Sequence, residues 1–281
     1  MRDEAAAALA GAEAGARVVR ERANDVGTVR SKSSATDLVT EVDVAAGVAV
    51  VTEILRHDPS ARFVVEEDEV YERAGVPRSA LDDPEVWVID PVDGTTSFVH
   101  GFPAYSVSVA LLRSGTPVAG AVADVPRNST MVAASGAGAT LDGAPARCSS
   151  AARLDEALLV TGFPYDRGAP LDRQLAVLAA FLRAPVHGIR RDGSAALDCC
   201  HIAAGRADGF WEYGLQPWDT AAGAVICREA GAVVTDMEGR PWSTTPGSGI
   251  VVANPALHPL MLDIVRAASA PFGGSNATVD Q

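Results

Sequence analysis

Trp87-Val88-Ile89-Asp90-Pro91-Val92-Asp93-Gly94-Thr95-Thr96-Ser97-Phe98 joins a short apolar run to two acids, a proline and a glycine. The apolar run predicts a buried strand that stops on an acid, Asp90. Pro91 fixes its own φ and pushes Asp90 toward extended backbone. Gly94 permits a tight turn. Asp90, the Val92 carbonyl and Asp93 are thereby set to converge on one hard cation. Magnesium takes oxygen ligands at about 2.1 Å in an octahedron completed by water and substrate phosphate. The plain alternative is an Asp-Gly turn with Asp90 capping the next segment. Gly94-Thr95-Thr96-Ser97-Phe98 also has the form of a helix start, whose exposed N–H groups bind phosphate oxygens.

Further acids lie on either side. Phe63-Val64-Val65 predicts another short strand, and it runs into Glu66, Glu67, Asp68 and Glu69. Adjacent carboxylates at a buried edge raise each other's pKa unless a cation sits between them. The alternative is a solvated acidic loop. Asp219 follows Pro217-Trp218 and opens a predicted helix, where it is either a ligand or an ordinary N-cap. Gly193-Ser194-Ala195-Ala196 is a second helix start, or a plain serine cap. His187 and His201 stand without companions and read as structural. No nucleophile elbow, dinucleotide fingerprint or Walker loop is present.

The whole chain has 281 residues, 48% hydrophobic and 21% charged, which is globular composition. Lys and Arg total 23 against 36 Asp and Glu, a formal net charge of −13. Such a surface repels nucleic acid and anionic membranes at long range, so neither is expected as the main ligand. An anionic substrate needs a local remedy, and bound cations supply one. Four cysteines, two of them adjacent, make no disulfide framework and read as reduced thiols in a cytoplasmic protein. No apolar run approaches about 18 residues.

Helices are predicted over 3–23 and 44–55. A polar surface loop is predicted over 70–85. An antiparallel meander follows over 106–134. Past about 145, strands and helices alternate: strands at 158–161, 186–189, 207–212, 232–236 and 250–253, with helices at 173–183, 194–204, 219–230 and 259–268. This predicts an α/β protein with an α+β N-terminal subdomain, 1–145, an α/β C-terminal subdomain, 146–270, and a flexible tail, 271–281.

These motifs resemble the inositol monophosphatase family of magnesium-dependent, lithium-sensitive phosphatases. Residues 87–98 look like its first signature. Pro217-Trp218-Asp219-Thr220-Ala221-Ala222-Gly223, continuing to Glu229-Ala230-Gly231, looks like its second. Lys32-Ser33-Ser34 with residues 37–43 is similar to its N-terminal block, and residues 186–190 with 193–196 to a substrate-side block. The chain departs from the pattern at Val65, where glycine is usual, at Ser97, where asparagine is commonest, and in the acidic stretch 68–85.

The resemblance implies a layered αβαβα sandwich and a homodimer. It implies two or three Mg2+ per subunit, held by Glu66, Asp90, the Val92 carbonyl, Asp93 and Asp219, with Glu67 a further possibility. Thr95, paired with Asp43, would help Glu66 orient and deprotonate the attacking water. Gly94 and Thr95 would hold the phosphate. Asp93, Ser194, Ala195 and Glu212 would face the alcohol half of the substrate, and Lys32 would lie near the metals. The implied reaction is hydrolysis of inositol monophosphate or a similar polyol or sugar phosphate. Histidinol phosphate, a nucleotide 3′-phosphate, fructose 1,6-bisphosphate and an intermediate of specialised metabolism are alternatives, as is a non-catalytic metal-binding regulator. Glu212 accepts hydrogen bonds from hydroxyls and repels a second phosphate, which favours monoesters.

Overall fold

The computed structural model describes residues 3–23, 27–31 and 38–272. Lys32 lies outside them, as does the tail beyond Phe272. The alanine-rich opening segment, with acids in its first turn and Arg20 in its last, forms α1 (Asp3–Glu21). β1 (Val29–Ser31) and β2 (Leu38–Thr40) form an antiparallel pair. Thr40 then caps α2 (Glu41–His57), accepting the Val42 N–H at 3.1 Å, while Asp43 accepts the Thr40 N–H at 3.0 Å. This capping box starts the helix earlier than the apolar pattern suggests.

β3 (Phe63–Val65) leads through α3 (Asp68–Ala74) to β4 (Glu85–Asp93) and the single turn α4 (Thr95–Val99). Two expectations are corrected here. The start of the supposed polar loop is helical, because Val70 and Tyr71 are buried, Asp68 and Glu69 sit in the first turn, and Gly75 closes the helix in the left-handed region. The Tyr71 hydroxyl also accepts the Val65 N–H at 2.7 Å. The strand expected to stop at Asp90 continues to Asp93, with a register shift between the two acids.

β4 pairs in parallel with β3 and antiparallel with β5 (Ser106–Arg113). The sheet continues antiparallel through β6 (Thr116–Asp124), β7 (Ser129–Ala134), β8 (Gly138–Leu141) and β9 (Ala144–Ala146), seven strands in all. The chain then forms β10 (Leu158–Thr161), α5 (Ala169–Arg183), β11 (Gly188–Arg190), α6 (Ala195–Ala203), β12 (Gly209–Leu215), α7 (Pro217–Glu229), β13 (Val233–Thr235), β14 (Ser248–Ala253) and α8 (His258–Ser269). Its five strands lie in the order β11-β10-β12-β14-β13, parallel from β11 to β12 and antiparallel beyond. Pro271 and Phe272, assigned to the tail on sequence, close a 3-10 turn whose Phe272 carbonyl accepts from Arg173 at 3.0 Å.

Alternation along the strands sorts the core into layers. Val107, Val109 and Leu111 of β5 face α1 and α2, while Ala110 faces the opposite way, toward α6 and α7. Phe210 of β12 and Val252 of β14 reach the same two helices from the second sheet. Trp211 and Val251 face outward to α5 and α8. The result is the expected αβαβα sandwich, with α6 and α7 between two sheets. Close packing of that middle layer depends on Gly223, where an added Cβ would lie 2.5 Å from the Cβ of Cys199. All four cysteines are free thiols.

Candidate active site

The parallel register of β3 and β4 pairs Val64 with Val88 and Val65 with Ile89. The Glu66 N–H extends this ladder onto the Ile89 carbonyl at 3.1 Å. Glu66 therefore stands beside Asp90, close enough for the two carboxyl groups to share a hydrogen bond. Beyond Asp90 the strand irregularity turns Val92 back, and its N–H donates to Asp90 Oδ1 at 3.0 Å. Asp93 then meets the start of α6. Its Oδ2 accepts from Ser194 Oγ at 2.6 Å and from the Ala196 N–H at 2.8 Å. A carboxylate at a helix N-terminus is favourably placed against the macrodipole.

Gly94 follows with φ +90°, and an added Cβ would sit 2.8 Å from the Ala104 carbonyl oxygen and 3.1 Å from that of Gly193. Only glycine fits this left-handed, closely approached position. It releases the chain into α4, whose first N–H groups have no partner inside the helix. The Thr95 hydroxyl lies 3.0 Å from both Asp43 Oδ1 and the Val92 carbonyl oxygen. Asp43, buried in the first turn of α2, thus serves its capping box and Thr95 together. Asp219 sits in the first turn of α7, where one carboxylate oxygen accepts the Gln216 N–H at 2.7 Å. Its capping role leaves the other oxygen for further bonding.

Glu66, Asp90, Val92, Asp93, Gly94, Thr95, Ala195, Glu212 and Asp219 line one cavity of about 590 Å³, measured out to its open mouth. Sequence reasoning anticipated all nine. Asp43 reaches the cavity through Thr95. Ser194 is buried and does not line it; its hydroxyl bonds to Asp93, Ser106 and the Leu197 N–H, so it holds Asp93 in place. Glu67, the residue before α3, also lies off the lining.

Gly162, Phe163, Tyr165 and Arg191 join the lining without having been anticipated. Gly162 ends β10 against Glu212: an added Cβ would lie 2.2 Å and 2.4 Å from the two Glu212 carboxylate oxygens. The only signal for Arg191 was an Arg190-Arg191 pair in an acidic chain.

The electrostatics are those of crowded acids. Burial, then the charges of Glu66, Asp93 and Asp219, pushes the Asp90 carboxyl well above its ordinary range. Asp219 is pushed up well above its usual value by burial and then by Asp93 and Glu66. Burial raises Asp93 to about 6 against the hydrogen bonds from Ser194 and Ala196, and raises Glu212 to about 8. Asp43 is raised by burial, with the Thr40 and Thr95 hydrogen bonds opposing. Among the described residues the cavity lining holds one cation, Arg191, whose charge acts on Glu212.

No three His, Cys, Asp or Glu side chains among the described residues are gathered into a ready-made metal cage. The donor set still fits a hard divalent cation. Its donors are carboxylate and carbonyl oxygens, and its buried acids are each made costly by the others, a cost that a cation removes.

Comparison with known proteins agrees with this fold. Residues 2–270 match the inositol monophosphatase family. The inositol-1-monophosphatase of Synechocystis sp. is 40% identical over 230 residues, covering 82% of this chain and 77% of the relative. The Nus factor SuhB of Pseudomonas aeruginosa is 42% identical over 217 residues, 76% of this chain and 78% of the relative. The solved inositol monophosphatase of Anabaena (Nostoc) sp. superposes with a TM-score of 0.81 at 33% identity, over 93% of this chain and 94% of the other.

Proposed function

The chain belongs to the inositol monophosphatase family and is a phosphoric monoester hydrolase, and from that premise we propose that it releases phosphate from inositol monophosphate or a similar polyol or sugar monophosphate, using magnesium. The observation that carries this reading is one cavity lined by five carboxylates, Glu66, Asp90, Asp93, Glu212 and Asp219, together with Gly94 and Thr95 at the start of α4. Glu66, Asp90, Asp93, Asp219 and the Val92 carbonyl would hold the metal, two or three ions per subunit. When bound, divalent magnesium supplies Lewis acidity and an activated water at neutral pH. Gly94 and Thr95 present N–H groups to the phosphate oxygens. The Thr95 hydroxyl donates to Asp43, which leaves its oxygen lone pairs to orient the attacking water, and Glu66 takes the water's proton. Asp93, fixed by Ser194 and α6, and Glu212, resting on Gly162, face the leaving alcohol. This mechanism also resolves the charge problem, because cations and not a basic surface recruit the phosphate.

The family resemblance further supports a homodimer of two-subdomain protomers, lithium sensitivity and a cytoplasmic location. Lithium chloride at roughly tens of millimolar is expected to slow the reaction, as ions competing for a metal position do. Unchanged rates would count against the metal assignment. A relative named as a Nus factor favours a second role for this chain beside catalysis or in place of it. The net charge of −13 makes a protein partner a better candidate for that role than nucleic acid. Phosphate release separates the two cases. Inositol 1-phosphate, histidinol phosphate, adenosine 3′,5′-bisphosphate and fructose 1,6-bisphosphate, each with magnesium and with EDTA, should show metal-dependent turnover concentrated in the polyol monoesters. Silence across all of them in folded, metal-loaded protein would favour the non-catalytic role.

A further inference from the structure

Glu212 shares its cavity with a side chain of opposite charge. Arg191 lines the same cavity, is exposed there, and carries its guanidinium 5.9 Å from the centroid of the Phe163 ring. Among the described residues it forms no ion pair. At that distance the ring face attracts the cation and leaves its N–H groups to donate elsewhere. Glu212 is the reverse in chemistry, an acceptor, and Gly162 is what lets its carboxylate lie back against the end of β10.

We propose that Arg191 is a specificity-determining residue, and that with Glu212 it forms a donor–acceptor clamp for two neighbouring hydroxyls of the substrate's alcohol half. This rests on the phosphatase reading and adds to it a requirement for a polyol. One hydroxyl donates to the Glu212 carboxylate, and its neighbour accepts from the Arg191 guanidinium. A leaving group without hydroxyls satisfies neither.

The test compares two substrates in magnesium: myo-inositol 1-phosphate, which offers neighbouring hydroxyls, and 4-nitrophenyl phosphate, which offers none. The quantity read is the ratio of their kcat/KM values. Arg191→Ala should lower that ratio about tenfold or more, through KM for the inositol ester, and Arg191→Lys should recover part of it. Gly162→Ala, which places a methyl where the Glu212 carboxylate rests, should lower the ratio from the other side of the clamp. Equal effects on both substrates, or no effect, would overturn the clamp while leaving the phosphatase intact. No metal-dependent release from either substrate by the unsubstituted protein would remove the phosphatase reading and the clamp with it.

Discussion

Asp90 is buried between Glu66, Asp93 and Asp219, and its carboxyl is raised by all three. Asp90→Asn keeps the shape and removes one charge. It should cost at least about a hundredfold in metal-dependent turnover, because the metal would lose one of its carboxylate ligands. The metal-free variant should melt no lower than the parent, since a costly buried charge has gone. Near-normal turnover in a folded Asp90→Asn variant would break the metal assignment. At Gly94 the constraint is steric: Gly94→Ala should lose about 1–3 kcal/mol of stability in denaturant unfolding, from strain at φ +90° and contact with the Ala104 carbonyl. Asp90, Asp93 and Asp219 were legible in the sequence because proline, glycine and helix-start residues mark their positions. Gly162 and Arg191 were not. The first matters only because Glu212 of another strand rests on it, and the second only because Phe163 and the cavity meet it, neither of which local pattern records.

At the scale of elements, the site is made by the parallel pairing of β3 with β4, which sets Glu66 beside Asp90. The two strands were visible as apolar runs, but their register was not, since parallel partners are joined by a crossover that sequence pattern leaves undetermined. The first turns of that crossover were also misjudged. Acids and nearby prolines suggested a loop over 70–85, whereas burial of Val70 and Tyr71 makes a helix at its start. Tyr71 ties that helix to β3 through the Val65 N–H. Tyr71→Phe should therefore cost about 1–2 kcal/mol, visible as a lower melting temperature, because a buried N–H loses its acceptor. An unchanged melting temperature would show that the Val65 N–H finds another partner.

For the whole molecule, acidity and metal binding are linked. The change of pattern near residue 145 suggested two subdomains and the family resemblance the layered sandwich, but neither showed that α6 and α7 are shared by both sheets and pack closely on each other at Gly223. In the folded, metal-free protein Glu212 is raised from its ordinary 4.5 to about 8 and Asp93 from 3.8 to about 6. The folded state thus holds more protons than the unfolded chain between those values, so stability is greatest below them and falls as pH rises. Melting temperature in EDTA should decline from about pH 5 to about pH 8, and magnesium should flatten the decline by favouring the ionised acids. A melting temperature that rises with pH over this range in EDTA would contradict the picture of uncompensated buried carboxylates.

The most direct measurement is phosphate release from myo-inositol 1-phosphate by the parent chain and by Asp90→Asn, each with magnesium and with EDTA. The expected result is release by the parent in magnesium alone, abolished by EDTA, restored by added magnesium and nearly absent in the folded variant. Release that survives EDTA, or that Asp90→Asn leaves intact, would contradict metal-dependent catalysis at this cluster of acids.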